Sequence, residues 1–347
     1  MSPLNRRDFI AATATALAMS GLARGAEPAR RIPIGFLGVS YSHGPDKLRL
    51  TQKSPDWDLV GVCDDTPAGR QVVDRLGTKR LSQAELFQRA EVVAVESDIR
   101  DHAAHALLAL RAGKHVHLEK PAAATVAELR TLITEARERK RLLQTGFMWR
   151  FNPGFQAIFE VVRRGWLGEV IQVRAFMGNN LAAARRPEWA EFKGGSMFEQ
   201  GSHLVDAVVR LLGRPNSVTP FLRRHGQFAD ALNDNNVAVL QFERATAVIS
   251  NTALQAAASP QRSFEVTGTN GSALLQPIEP PTLVVDLAQA AGPYPKGPHT
   301  VPLPTYERYV ADFQELTAAV RGEATLSVSL DEELLVGETV LRACGMA

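Results

Sequence analysis

The chain has 347 residues, with 39 Lys or Arg against 37 Asp or Glu and a hydrophobic fraction of 45%. Three of those bases and one of those acids fall in the first 26 residues. The rest therefore carries no net formal charge, which excludes a binder of the nucleic-acid backbone and, with that composition, bulk disorder. Only two cysteines, Cys63 and Cys344, are present, which excludes a disulfide scaffold.

In chain order, Arg6-Arg7-Asp8-Phe9-Ile10 precedes the Ala-rich run 11–23 and small residues at 23–26. A charged start, an apolar run and small residues describe a secretory signal, and the arginine pair resembles a twin-arginine signal. Residues 1–26 are read as that signal, so the mature protein is expected outside the cytoplasm, in the periplasm, with no membrane span after processing. Past that stretch no apolar run is long enough to cross a bilayer.

Strand-like runs follow at Ile32–Leu37, Trp57–Cys63, Val92–Val95, His115–Leu118 and Leu142–Gly146. Helical patterns lie between them at Lys47–Lys53, Ala68–Leu76, Ser82–Arg89, His102–Ala112 and Val126–Arg139. This alternation predicts an α/β fold whose doubly wound parallel sheet spans residues 32–150, with ligands at the carboxyl ends of its strands. Cys63, inside an apolar run, reads as a buried free thiol.

The loop after the first strand, Gly38-Val39-Ser40-Tyr41-Ser42-His43-Gly44, is an incomplete dinucleotide fingerprint. Gly38 supplies the first glycine, while Ser40 and His43 stand at the second and third. Asp64 ends the second strand, where an acid meets the adenosine ribose hydroxyls and disfavours a 2′-phosphate. NAD is therefore preferred over NADP.

Beyond residue 168, strand-like stretches dominate: Val170–Phe176, Val237–Phe242, Ala247–Asn251, Ser263–Thr267 and Ser272–Leu275. The segment Pro277–Pro304 reads as an irregular excursion, and Tyr306–Val320 and Asp331–Arg342 as amphipathic helices packing back on the body.

Four segments carry a resemblance. Ala112-Gly113-Lys114-His115-Val116-His117-Leu118-Glu119-Lys120-Pro121 ends a strand in Glu-Lys-Pro. The others are Gly146-Phe147-Met148-Trp149-Arg150-Phe151-Asn152-Pro153, Gly165-Trp166-Leu167-Gly168-Glu169-Val170 and the run from Gly194 to Asp206. In this order they resemble the Gfo/Idh/MocA family (glucose–fructose oxidoreductase, inositol dehydrogenase and relatives) from about residue 32 to the C-terminus. The resemblance implies a Rossmann domain over 32–150. An α+β domain over 151–347 would follow, built on an open, mostly antiparallel sheet with C-terminal helices, in a homodimer or homotetramer.

It also implies site residues. Lys120 would sit beside the nicotinamide and hydrogen-bond a substrate hydroxyl, flanked by Glu119 and Pro121. His203 would remove the hydroxyl proton, with Glu199, four residues earlier, replacing the family's usual Asp. His102 matches a position near the cofactor. Arg150, Asn152, Trp149 and Arg186 are candidates for contacting substrate. Glu96, after the third strand, departs from the family's usual turn. The histidines at 102, 105, 115 and 117 do not converge on a metal-ligand pattern, and no metal is expected.

The implied activity is NAD(P)-dependent oxidation of a sugar, polyol or glycoside, with the cofactor held tightly outside the cytoplasm. Two alternatives stay open: an NAD-using glycosidase or lyase without net redox change, and a non-catalytic carbohydrate-binding member of the family.

Overall fold

The computed structural model describes residues 30–347, so the export signal expected in residues 1–26 lies outside the described residues. The first-half strands β1 (Ile32–Leu37), β2 (Trp57–Cys63), β3 (Val92–Val95), β4 (His115–Leu118) and β5 (Leu143–Thr145) form a parallel sheet in the order β2-β1-β3-β4-β5. All of β3 and nearly all of β1 are buried, as befits strands covered on both faces. The order reverses between β1 and β3, which places a crevice at their carboxyl ends.

Helix starts follow their capping residues. Ser82, Thr125 and Ser329 each close a capping box, with Glu85, Glu128 and Glu332 respectively. The boxes satisfy otherwise orphaned N–H groups in the first turn. The first helix spans Gly44–Lys53, three residues earlier than its apolar pattern suggested, because Pro45 is well suited to a first helical turn.

The second sheet has eight strands, in the order β13-β12-β11-β10-β6-β9-β8-β7. Its expected members are β6 (Val170–Gly178), β8 (Asn235–Gln241), β9 (Thr246–Thr252), β10 (Ser263–Gly268) and β11 (Gly271–Leu275). Among the described strands of this sheet only β6 and β9 pair in parallel. The irregular excursion expected over Pro277–Pro304 is corrected: it carries β12 (Leu283–Leu287) and β13 (Gly297–Val301), antiparallel extensions of the sheet. Its prolines and glycines mark the turns and the edge strand. Strand β7 (Ser217–Arg223) escaped notice because of Pro220, which is tolerated where β7 forms the other edge. The helix read from Tyr306 starts at Val310, because Tyr309 takes a left-handed conformation with φ 69°.

Residues 32–347 form one compact unit. Its main core runs from Ile34 and Phe36 of the first sheet through Phe155 to Phe264 of the second and Phe313 near the C-terminus. The final helix, Leu330–Ala343, packs on both Val126–Glu138 and Ser202–Leu212. A buried charge cluster pins that junction. Arg150 donates to Asp206 at 2.7 Å and to Glu333 at 2.6 Å, and all three side chains are nearly inaccessible. Arg150, expected to reach substrate, is thereby corrected to a structural role: its guanidinium is consumed between two carboxylates. Arg150→Met would leave those acids buried without their cation. Unfolding in urea should show a loss of about 3–5 kcal/mol; a loss under 1 kcal/mol would refute this role.

Candidate active site

The crevice at the carboxyl edge of β1 and β3 is built from the loop after Gly38. Gly38 has φ 81°, and a Cβ there would come within 2.4 Å of the Ser97 backbone. Only glycine allows this approach. Val39 N–H donates to Asp64 Oδ2 at 2.8 Å, and Thr66 donates to Oδ1 through both its N–H and its hydroxyl. Three of the roughly four acceptor directions of the Asp64 carboxylate are thus used, and one is left for a ligand hydroxyl. Ser40 and Asp98 are joined at 3.2 Å.

An open cleft lies over this loop, lined by Gly38, Ser40, Asp64, Asp65, Asp98, Asp101 and His105 among others. Among the described residues no Lys or Arg lines it. Such a wall suits ribose hydroxyls and repels a 2′-phosphate. Cys63 is only half-buried and lines the same cleft, correcting the expectation of a buried thiol. These residues fit the adenosine side of NAD.

Deeper in, a chain of buried polar groups runs beneath the loop. Lys47, one turn into the first helix, bonds Glu96 at 2.7 Å and also Glu119, with all three fully buried. His43 Nδ1 lies 3.2 Å from Glu119. Rather than capping its helix, His43 turns its ring toward this chain. Burial pushes the Glu96 carboxyl above its usual range although Lys47 opposes the shift. For Glu119, burial pushes the same way, but Lys47 and His43 prevail and hold it well below.

His117 Nδ1 lies 2.9 Å from Gln144 Oε1. Gln144 spends its amide on Asp312 O and Glu315. Its carbonyl is therefore the acceptor, which places the His117 proton on Nδ1. Burial brings His117 down to about 3. Asp312 is buried, and burial raises it to about 7 although Lys47 opposes the shift.

The third cluster lies where β4 ends. The Lys120–Pro121 bond is cis. Lys120 Nζ donates to Tyr41 Oη at 2.9 Å, to Glu199 O at 2.8 Å and to Glu199 Oε1 at 2.6 Å. Tyr41 Oη in turn donates to the same Glu199 oxygen. An ammonium has three N–H donors, so every one is used. Glu199 lies in a π-turn, Met197–Gly201, leading into the helix Ser202–Leu212. The wider turn leaves the Glu199 carbonyl available to Lys120.

Burial pushes the Glu199 carboxyl up, but Lys120 and Tyr41 prevail and hold it below its ordinary value. Burial, then the Glu199 charge, raises the Tyr41 phenol. His203 is buried with Nδ1 unbonded, and burial, then Lys120, holds its imidazole neutral. The helical spacing of Glu199 and His203 thus does not produce a Glu–His pair; Glu199 faces Lys120 and Tyr41 instead.

The structure accordingly brings Lys120, Glu199, His43 and Glu119 into one buried neighbourhood. His203 is close enough to it to feel the charges of Lys120 and His43. His102 is buried against the Pro121 and Ser97 carbonyls, at 2.8 and 2.9 Å, and so braces both loops.

Three substrate candidates beside Arg150 are corrected. Asn152 caps the helix Pro153–Arg163 and donates to Ile278 O, fully buried. Trp149 is buried, stacked on Phe155 with its ring 5.0 Å from that of His203, so it backs the histidine rather than offering an open face. Arg186 is held by Asp230 and by Asp234 at 2.8 Å, over the ring of Phe228.

Sequence reasoning passed over Tyr41, Lys47 and Tyr309, whose ring lies 5.7 Å from that of His43. For Lys47 a signal existed: it shares the buried face of its helix with Leu48 and Thr51, an improbable place for an unpaired lysine.

Comparison with known proteins agrees with this architecture. Residues 32–147 match the model of an oxidoreductase family with an NAD-binding Rossmann fold, and residues 155–274 match the GFO/IDH/MocA C-terminal domain. A trans-1,2-dihydrobenzene-1,2-diol dehydrogenase from Macaca fuscata fuscata is 33% identical over 66% of this chain and 73% of its own. The D-glucoside 3-dehydrogenase of Escherichia coli (strain K12) is 34% identical over 46% of this chain and 48% of its own. The crystal structure of GenD2 from gentamicin A biosynthesis, in complex with NAD, superposes with a TM-score of 0.76 at 22% identity, covering 93% of this chain and 95% of that one.

The buried acids predict a pH dependence. The folded-state value of Asp312 lies above that of the unfolded chain, so its favourable contribution is complete at acid pH and is lost as pH rises through about 7. Glu96, also raised, works in the same direction. The urea midpoint should fall between pH 5 and pH 8.5, and Asp312→Asn should flatten that fall. A variant with an unchanged slope would refute the assignment.

Proposed function

The chain belongs to the Gfo/Idh/MocA oxidoreductase family, and from that premise we propose that it oxidises a ring hydroxyl of a sugar, polyol or glycoside with NAD. The observation that carries the reading is the buried contact of Lys120 with Glu199. It sets an ammonium and a carboxylate side by side at the end of β4, joined through Tyr41 to the loop that lines the ribose-suited cleft. The similarity to a glucoside dehydrogenase and a dihydrodiol dehydrogenase supports a ring hydroxyl as the reacting group.

When bound, NAD⁺ supplies a hydride acceptor. Gly38 and Ser40 would form the turn facing the nucleotide, and Asp64 would take a ribose hydroxyl. His43 and Glu119 would border the nicotinamide side, with His102 bracing Pro121. Lys120 would stabilise an oxygen that gains negative charge in the reaction, where a fixed cation is most effective. His203, neutral and with Nδ1 unbonded, accepts a hydrogen bond from a neighbouring substrate hydroxyl and orients the ring.

The reading extends to location and assembly. Arg6-Arg7 and the following Ala-rich run support export of the folded protein with its cofactor tightly bound. Outside the cytoplasm free NAD is scarce, so retention and recycling in place suit the chemistry. Exposed Ile171 and Phe221 on the second sheet support pairing of copies in a homodimer or homotetramer.

Protein exported natively and purified without added nucleotide should release NAD or NADH on denaturation, detected by mass spectrometry. NADH should bind at least tenfold more tightly than NADPH. Lys120→Met should lower kcat on a responsive glycoside or polyol by about 10²–10³-fold while NADH binding persists. Activity within a few-fold of wild type would sink the mechanism; protein that neither carries nor takes up NAD would sink the cofactor assignment.

A further inference from the structure

Resting on the NAD-dependent reading above, the geometry leaves one question open: which group receives the substrate's hydroxyl proton. Lys120 has no free N–H, since Tyr41 and Glu199 take all three. Among the described residues no carboxylate is hydrogen-bonded to His203 and its Nδ1 is unbonded, so none of them stands ready to stabilise the cation it would become. Tyr41 is placed otherwise. Its side chain is 1% exposed, wedged edge-on against His43 and His102, with ring centroids at 5.3 and 5.7 Å. Its hydroxyl touches both the ammonium of Lys120 and the carboxylate of Glu199.

We propose that Tyr41 is a catalytic residue, whose phenol oxygen takes the proton of the substrate hydroxyl while passing its own proton to Glu199. A phenolic oxygen has one donor and two acceptor directions. Lys120 uses one acceptor and Glu199 takes the donor, which leaves one lone pair for a substrate O–H. As the C–H bond breaks, the substrate carbon gives its hydride to NAD⁺. The O–H bond breaks with it, and that proton joins Tyr41 Oη. The former Tyr41 proton joins Glu199 Oε1. The alcohol becomes a ketone, NAD⁺ becomes NADH, and Glu199 becomes a neutral acid that returns its proton to solvent before the next turnover. Lys120 stabilises the negative charge that passes across the phenol during the exchange.

The arrangement also gives a use to a residue the fingerprint leaves unexplained. Tyr41 sits within the cofactor loop, three residues after Gly38, yet its hydroxyl bonds a carboxylate 158 residues away. The nucleotide loop therefore carries one end of the relay, and the segment leading into Ser202–Leu212 carries the other.

The test uses the full chain with NAD, on a glycoside or polyol that wild type oxidises. Tyr41→Phe removes one oxygen and retains the ring. It should lower kcat at least 100-fold, with KM and the NADH dissociation constant, read by fluorescence, within threefold of wild type. Glu199→Gln should give a loss of similar size. The double variant should be no more than about threefold worse than either single one, since members of one relay are not additive.

Tyr41→Phe that retains kcat within fivefold overturns the proposal. So does a variant whose loss is confined to NADH binding or KM, or a double variant whose losses multiply. If Tyr41→Phe fails to fold, Glu199→Gln with kcat within fivefold overturns it alone. Wild type that neither binds NADH nor oxidises any of the alcohols overturns the redox reading and this relay with it; an active wild type with an active Tyr41→Phe overturns only the relay.

Discussion

The site depends on a cation that the fold has almost completely buried. Lys120 is 1% exposed, and an ammonium taken out of water costs several kcal/mol unless charge and hydrogen bonds replace its hydration. Replacement comes from one residue of the second half, Glu199, through both its carbonyl and its carboxylate, and from Tyr41 of the first-half loop. The end of β4, the nucleotide loop and the π-turn before Ser202 are thus held to one another by the need to satisfy a single ammonium. Because the same ammonium faces the reacting oxygen in the proposed chemistry, the constraint that orders the site is also the one that equips it.

A second buried lysine follows the same logic without touching substrate. Lys47 sits between Glu96 and Glu119, which gives a partner to the acid at position 96, where the chain departs from the family's usual turn. Two carboxylates sharing one ammonium in a dry environment cannot both ionise freely. Burial raises Glu96, whereas Lys47 and His43 hold Glu119 low. His117, kept neutral nearby, adds no charge to this chain. The polar layer under the cofactor loop is therefore a set of mutually dependent protonation states, and its members are best treated as one unit.

Much of the first sheet was legible because parallel strands buried on both faces leave continuous apolar runs, and β1, β2, β3 and β4 end where those runs end. The second sheet was harder to read. Pro220 in β7 and the prolines around β12 and β13 obey edge-strand rules that single-strand patterns do not reveal. For the site, Lys120 and Glu119 were legible as a motif at a strand end. Arg150 was not: its partners Asp206 and Glu333 lie 56 and 183 residues away, and nothing local distinguishes a buried structural arginine from one that awaits a ligand. Tyr41 was invisible for the same reason, since its meaning lies in a carboxylate from the other half of the chain.

The two missing glycines of the nucleotide loop are a departure that the structure compensates with side chains. In a three-glycine loop, the second and third glycines allow the backbone to approach the pyrophosphate and the helix to pack closely on the strand. Here Ser40 is tied to Asp98 and His43 to Glu119, so the loop is fastened at both positions to the loop after β3 and the end of β4. Gly38 alone retains the contact that no side chain could replace, against the Ser97 backbone. A loop held by side-chain hydrogen bonds transmits its position to the groups that hold it. The placement of His43 fixes Glu119, Glu119 fixes Lys47, and Tyr41, two residues before His43, reaches Lys120. In this chain the nucleotide loop and the proton-handling groups are consequently one connected network, whereas a glycine-only loop would leave them independent.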